Sequence, residues 1–372
     1  MKLTNPVMGL FFLFGLFFNS LVASEVQEEA LRKIAMNPKL ALELRVDAIK
    51  ALYPSQWQDN QLIKRRICIW DIAGRSGPIF SAAQDQKTEL MHLGIEVEME
   101  AYTSESILAE ELKAGLCDAA FMTGMKARTF NKFSGTIDSV GALPSIKHMK
   151  LLLKALTNPR MASKFEAGRY TILGIAPAGA AYIFVNDRKI DSLTKAAGKR
   201  IAVLDYDSMQ AKMVLKLGAT PVPSSLVGAP NKFNNGAVDV LPAPLVAYSF
   251  MELYRGMEPD GGIINYPFSQ ASMQMVALKD KFPTEVAQLV REGFNKSFDR
   301  VIKQLNIQTG DIPEHWWIEI PDKEKQDYDV MMQQARIELR EADYYDGGML
   351  TIQRKVRCKL DPTRFECPNP VE

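Results

Sequence analysis

Polar, aromatic and glycine residues recur where an apolar, strand-like run gives way to a helix-like pattern. Trp70, Asp71, Gly74, Arg75 and Ser76 follow Ile67-Cys68-Ile69, and Tyr102 with Thr103 follows a run that opens at Ile95. Thr123, Gly124 and Arg128 follow Asp118 to Met122. Asp205, Tyr206, Asp207 and Ser208 follow Ile201 to Leu204, and Pro242 and Tyr248 follow Val238 to Leu241. A helix that starts at the carboxyl end of a strand has unpaired N–H groups there, which makes such ends the place for a ligand. Aromatic walls with a few orienting polar groups suit a small-molecule cleft. Asp207 and Ser208 read equally as helix caps, with Gln210 placed like the far half of a capping box.

Bond-making chemistry has no comparable signature. There is no Gly-x-Ser-x-Gly elbow, Walker loop, His-Glu-x-x-His or Gly-x-Gly-x-x-Gly. The three histidines, His92, His148 and His315, are scattered. Neither a metal, another cofactor nor a catalytic residue is expected, and the chain reads as a binder and not an enzyme.

The elements around these positions alternate strand and helix. Ile67 to Ile72 predicts a strand, Ala73 to Pro78 a glycine-rich turn, and a helix starts near Pro78. Strands over Ile95 to Tyr102 and Asp118 to Thr123 flank a helix capped at Thr103 to Ser106 and stopped at Gly115. That order implies a parallel sheet with right-handed crossovers. The same grammar restarts near Ser192: strand to Leu204, helix Asp207 to Leu217, then Asn235-Gly236-Ala237-Val238-Asp239, an echo of Ala114-Gly115-Leu116-Cys117-Asp118. Tyr170 to Ile175 and Ala180 to Val185 read as two strands around Ala176 to Gly179, the second crossing to another lobe. Gly262 to Leu278 is β-rich and returns. One long amphipathic helix is expected from Pro283 through Ile302, and a charged one over Lys323 to Ala342.

Met1-Lys2, an apolar run from Val7 to Phe18 and the small residues to Ser24 have the form of a cleaved signal peptide over residues 1–23. The remainder is long enough for two domains. The expected division is a helical cap over 24–63, one lobe over 64–187 with 262–280, a second over 188–261 with 281–320, and a tail over 321–372. With 45 Lys and Arg against 44 Asp and Glu, nothing favours nucleic acid as a partner. Four cysteines in an exported chain suggest disulfides. Cys358 with Cys367 would clasp the Pro-rich tail, whereas Cys68 and Cys117 could be a bridge or two buried thiols.

The order Ile-Cys-Ile-Trp-Asp-Ile-Ala-Gly-Arg-Ser-Gly-Pro, Glu-Leu-Lys-Ala-Gly-Leu-Cys-Asp-Ala-Ala, Ala-Leu-Pro, Gly-Lys-Arg-Ile-Ala-Val and Asn-Gly-Ala-Val-Asp resembles the solute-binding proteins of tripartite ATP-independent periplasmic (TRAP) transporters. It is closer still to solute-binding proteins sometimes labelled as accessories of resistance-nodulation-division drug efflux. The resemblance spans about residues 64–305. It implies an α/β, two-lobed periplasmic-binding-protein fold with a crossing-strand hinge and flanking helices. It also implies an exported protein that captures a small-molecule solute between the lobes and delivers it to an integral-membrane transporter or efflux component. The other reading is an accessory protein that docks on an efflux assembly without binding solute. One departure matters: Ala202 stands where the family's Gly-x-Lys-Ile-Arg-Val has an arginine that grips a carboxylate, which alanine cannot do. Arg75 or Arg128 would then supply the guanidinium, or a neutral or cationic solute would use Asp71, Asp205 or Asp207.

Overall fold

The computed structural model describes residues 25–57, 63–92, 94–192 and 194–372; the expected signal peptide lies outside the described residues. Among the described residues a single ten-stranded sheet carries the fold. Its strands are β1 (Ile63–Trp70), β2 (Ile95–Tyr102), β3 (Ala119–Thr123), β4 (Glu166–Ala167), β5 (Tyr170–Val185), β6 (Arg200–Leu204), β7 (Thr220–Ser224), β8 (Val240–Pro244), β9 (Gly262–Leu278) and β10 (Trp317–Ile318). The path runs β2-β1-β3-β9-β5-β8-β6-β7. β1 pairs in parallel with β2 and β3, and β6 with β7 and β8, as the strand-helix-strand grammar requires.

The two parallel halves are joined by β5 and β9, of 16 and 17 residues, which pair antiparallel from Tyr170↔Leu278 to Val185↔Gly262. The two strands expected around Ala176 to Gly179 are one continuous strand. Its register shifts between Pro177 and Gly179, where Pro177 cannot donate to the ladder and Gly179 takes φ +91°. The break was real in backbone terms, but long pairing with β9 carries the strand through it.

Each half buries its own apolar cluster. The first gathers Ile67, Ile69, Leu108, Leu112, Met122 and Phe165. The second half has two, one around Phe184, Phe233 and Leu241 and one around Val185, Ile201 and Val203. The helix expected from Pro283 to Ile302 is two, Thr284–Lys296 and Phe298–Thr309, divided at Ser297. The first of these packs Val286, Leu289 and Val290 into the first half's cluster, so its apolar stripe belongs with that half and not with residues 188–261. Residues 25–35 and Leu42–Leu52 are helical, and Arg45 fixes this cap to the same helix through both oxygens of Glu292, at 2.6 and 3.0 Å.

The carboxy-terminal region is more ordered than its prolines suggested. After helix Asp322–Glu341, residues Gly347–Leu360 form a helix, capped by Asp346, that buries Met349, Leu350, Val356 and Arg357. Two disulfides are present, Cys358–Cys367 and Cys68–Cys117. The second is possible because β1 and β3 are neighbours, Ile67 opposite Ala119, which brings the two Cα atoms within 5.8 Å. It closes a loop with a sequence separation of 49, so Cys68→Ser with Cys117→Ser is expected to lower unfolding free energy by about 4 kcal/mol. Urea unfolding checks this; a loss under about 1 kcal/mol would mean that the bridge does not restrict the unfolded chain.

Candidate functional site

A cavity of about 2030 Å³ occupies the space between the halves, over the crossing strands. The first half contributes Trp70, Phe121, Met125 and Arg128; the second contributes Gln210, Pro242 and Val246. Phe268 and Met273 of β9 form part of its floor, and Phe294, Val301 and Leu305 of the paired helices close one side. Strand ends and crossing strands thus meet at one place, as expected for a cleft in a two-lobed α/β protein.

Across one edge of the cleft the halves touch through charge. Arg128 Nη2 donates to Asp207 Oδ2 at 2.8 Å, with side-chain exposures of 11% and 2%. Tyr344, from the turn before the last helix, hydrogen-bonds both of them, and its ring lies 3.9 Å from the Arg128 guanidinium carbon. The sequence builds this edge locally. Asp207 is the N-cap of helix Ser208–Lys216, accepting from the N–H groups of Met209 and Gln210, so its second oxygen is free to cross the gap. Gln210 completes no capping box; its Oε1 accepts instead from Leu204 N at 3.0 Å. On the other side, Gly135 lies against the Arg128 backbone so closely that any Cβ would collide with it.

A second contact runs beside the first. Lys126 Nζ sits 4.1 Å over the Tyr206 ring, a cation–π contact. The Tyr206 hydroxyl faces Thr123 and the buried Glu105 carboxyl, which accepts from Thr123 N at 2.6 Å. Burial, with Glu105 nearby, pushes the Tyr206 phenol well above its ordinary value. Burial also raises the Glu105 carboxyl.

The residues singled out in the sequence therefore divide. Trp70, Thr123, Arg128 and Pro242 reach the cavity wall, and Tyr206 and Asp207 join the bridging edge. Asp71 also borders the cavity, but its oxygens accept from the N–H groups of Ala73, Ile79 and Phe80, so it terminates β1 and caps the following helix. Gly74, Arg75 and Ser76 form a one-turn helix outside the cavity, where Arg75 and Ser76 are exposed. Tyr102 stands opposite Trp70 at the end of β2, and Asp205 is exposed; neither borders the cavity. Tyr248 is buried in the second half's core beside Tyr254. Arg200 pairs with Asp239 at the far end of β6, whereas Ala202 is buried with Ala229 and Phe233 at the cavity wall.

Four contributors escaped sequence reasoning. Tyr344 returns to Arg128 from 216 positions away, and no local spacing signals that. Phe268 and Phe294 read only as strand and core residues. Asp138, half-buried on the cavity wall, accepts from Ser272 Oγ at 2.5 Å and Ser272 N at 3.2 Å. Burial outweighs those bonds and the Arg128 charge, and its carboxyl is pushed up to about 7. A raised carboxyl stabilises the folded state while protonated and loses that contribution as pH rises through about 7. Stability is expected to fall between about pH 4 and pH 7, by at most about 4 kcal/mol for this group. Asp138→Asn should flatten that slope in urea titrations at pH 5 and pH 8; an unchanged slope would contradict the assignment.

Comparison with known proteins agrees with this architecture. Residues 66–371 match the family "Solute-binding protein AdeT 1/2". An Acinetobacter baumannii relative named probable solute-binding protein AdeT1 is 40% identical over 299 residues, covering 80% of this chain and 98% of the relative. A second, named probable solute-binding protein AdeT2, is 26% identical over 234 residues, 63% of this chain and 98% of its own length. Among solved structures, a TRAP periplasmic solute-binding protein from Desulfovibrio salexigens with bound orotic acid superposes with TM-score 0.66 at 12% identity, over 80% of this chain and 99% of that one. Another, from Xanthobacter autotrophicus with bound β-D-galacturonate, gives 0.61 at 16% identity, over 79% and 99%. The chain belongs to the AdeT 1/2 family of solute-binding proteins, and its fold is that of the TRAP periplasmic binding proteins.

Proposed function

We propose that this solute-binding protein works in the periplasm, captures its solute in the cleft over β5 and β9, and delivers it to an integral-membrane transport partner. The observation that carries this reading is the cleft itself: two separately cored halves, joined by two long strands and facing one another across a cavity. Two strands that cross between lobes can bend where their ladder is irregular, and register shifts fall at 172/174, 177/179 and 181/183. In this reading, residues 64–187 with the carboxyl half of β9 form one lobe together with helix Thr284–Lys296. Residues 188–261 form the other, and residues 322–372 brace the pair. Trp70, Thr123, Arg128 and Pro242 face the solute, and Asp207 and Tyr206 hold the lobes in register.

A thermal-shift screen over organic acids, amines, sugars and apolar compounds tests the reading. A cognate solute at about 100 times its dissociation constant should add about 2.7 kcal/mol. Silence across all four classes would overturn it and favour an accessory that docks without a solute.

A further inference from the structure

Resting on that reading, we infer that the cleft is built for a bulky, predominantly apolar, uncharged solute and not for a sugar acid or other small carboxylate. Three observations converge. The cavity, at about 2030 Å³, is at least twice the upper end of the 300–1,000 Å³ usual for small-ligand pockets. A single sugar acid would leave most of it filled with water. Its inner walls are largely hydrocarbon, sulfur and aromatic ring: Phe121, Met125, Phe268, Met275, Phe294 and Leu305. Apolar side chains also continue to the mouth, where Phe250 and Ile307 line the cavity and are 49% and 63% exposed. Leaving such groups in water is unfavourable, and an apolar solute that covers them removes that hydrocarbon surface from water.

The third observation is electrostatic. Among the described residues, each ionic group on the wall below the rim already has its partner within the chain. Arg128 is neutralised by Asp207, Arg45 by Glu292, Asp71 by three backbone N–H groups, and Asp138 is held by Ser272. Ala202 adds no cation. A carboxylate entering this space would lose its hydration without gaining an unpaired guanidinium, a strongly unfavourable exchange. An uncharged apolar solute meets no such penalty. Lys154, Lys296 and Arg300 also border the cavity, but they are exposed and so remain hydrated.

The neutral fluorophore N-phenyl-1-naphthylamine, whose emission rises in apolar surroundings, serves as probe on the full protein, with β-D-galacturonate and orotate as acid arms followed by calorimetry. The wild type should bind the fluorophore saturably and neither acid detectably. Phe250→Asp with Ile307→Asp changes only exposed side chains and should keep the melting temperature while weakening the fluorophore at least tenfold. Tight, saturable binding of either acid would overturn the inferred ligand class and leave the solute-binding reading standing. Fluorophore binding that ignores the double substitution would overturn it too, because the probe would then sit elsewhere. Failure of the fluorophore, both acids and the whole solute screen would overturn the solute-binding reading as well.

Discussion

Asp207→Ala is expected to separate the lobes as well as weaken them. The carboxylate does two jobs: one oxygen caps helix Ser208–Lys216 and the other neutralises Arg128 across the cleft. Removing it leaves a guanidinium that is only 11% exposed without its counter-charge, which typically costs about 3–5 kcal/mol, and loss of the cap adds about 1 kcal/mol. Tyr344 keeps its hydroxyl beside Arg128 but cannot supply a negative charge, because burial and its neighbours push its phenol far above the ordinary value. Asp207→Asn separates the two roles, since an amide oxygen still caps while the charge is gone. The expected order of stability in urea is wild type, then Asn, then Ala. Solution X-ray scattering should show a larger radius of gyration for both variants, equally for Arg128→Ala. An unchanged radius in all three would show that this edge does not hold the lobes together.

Arg357→Met is the substitution with the next largest effect, and it acts far from the cleft. The Arg357 guanidinium is fully buried. It donates through Nε and Nη2 to Glu366 at 2.7 and 2.6 Å, contacts Glu372 as well, and gives a fourth bond, from Nη1, to Ala142 O at 2.8 Å. Arg336 adds a second cation to Glu372 at 2.6 Å, and Arg364 adds one to Glu366 at 2.9 Å. Removing the central arginine leaves buried carboxylates short of charge, a loss of about 3–5 kcal/mol. The network also sets a pH limit. Burial alone would raise the Glu366 carboxyl, but hydrogen bonds and charge from Arg357, with Arg364 and Arg336, outweigh it and hold that carboxyl at about 2. A depressed carboxyl contributes stability above its unfolded value of about 4.3 and loses it as pH falls toward about 2. The wild type should therefore lose stability steeply between about pH 4 and pH 2, and Arg357→Met should lose less over that interval because it has less to lose. Parallel acid-unfolding curves for the two proteins would contradict this account.

Much of the architecture was legible because it rests on local pattern. Apolar runs of strand length ending in Asp71, Tyr102, Thr123 and Leu204 mark parallel strands, and the glycines at 94, 115 and 218 take positive φ at helix ends. The Cys358–Cys367 clasp was expected from compartment and spacing, whereas Cys68 and Cys117 stayed open between a bridge and two buried thiols until β1 and β3 proved to be neighbours. What stayed hidden depends on partners distant in sequence. Pro177 and Gly179 read as a turn until pairing with β9 is known. Ser297 divides an amphipathic stripe whose period alone cannot show the break. Residues 347–360 looked like a tail because the anchoring Arg357, Glu366 and Glu372 are charged residues, which usually face water.

The site was legible to a lesser degree. Strand ends located the cleft, but residue type did not separate a solute-facing group from one already satisfied. Asp71 has the right place, yet its oxygens belong to a helix N-terminus. Tyr248 has the right side chain in a core position. Arg128 emerged only as one of several cations, and its pairing with Asp207, 79 residues away, became visible only once the lobes were folded together.

The claim that a solute is held between the lobes is tested most directly by hydrogen–deuterium exchange on the full protein, with and without saturating N-phenyl-1-naphthylamine. Amides on both walls should slow together on binding: residues 121–128 in the first lobe, 242–251 in the second, and 268–275 on the crossing strand. Protection confined to the outer face of one lobe, with these three segments unchanged, would contradict the account.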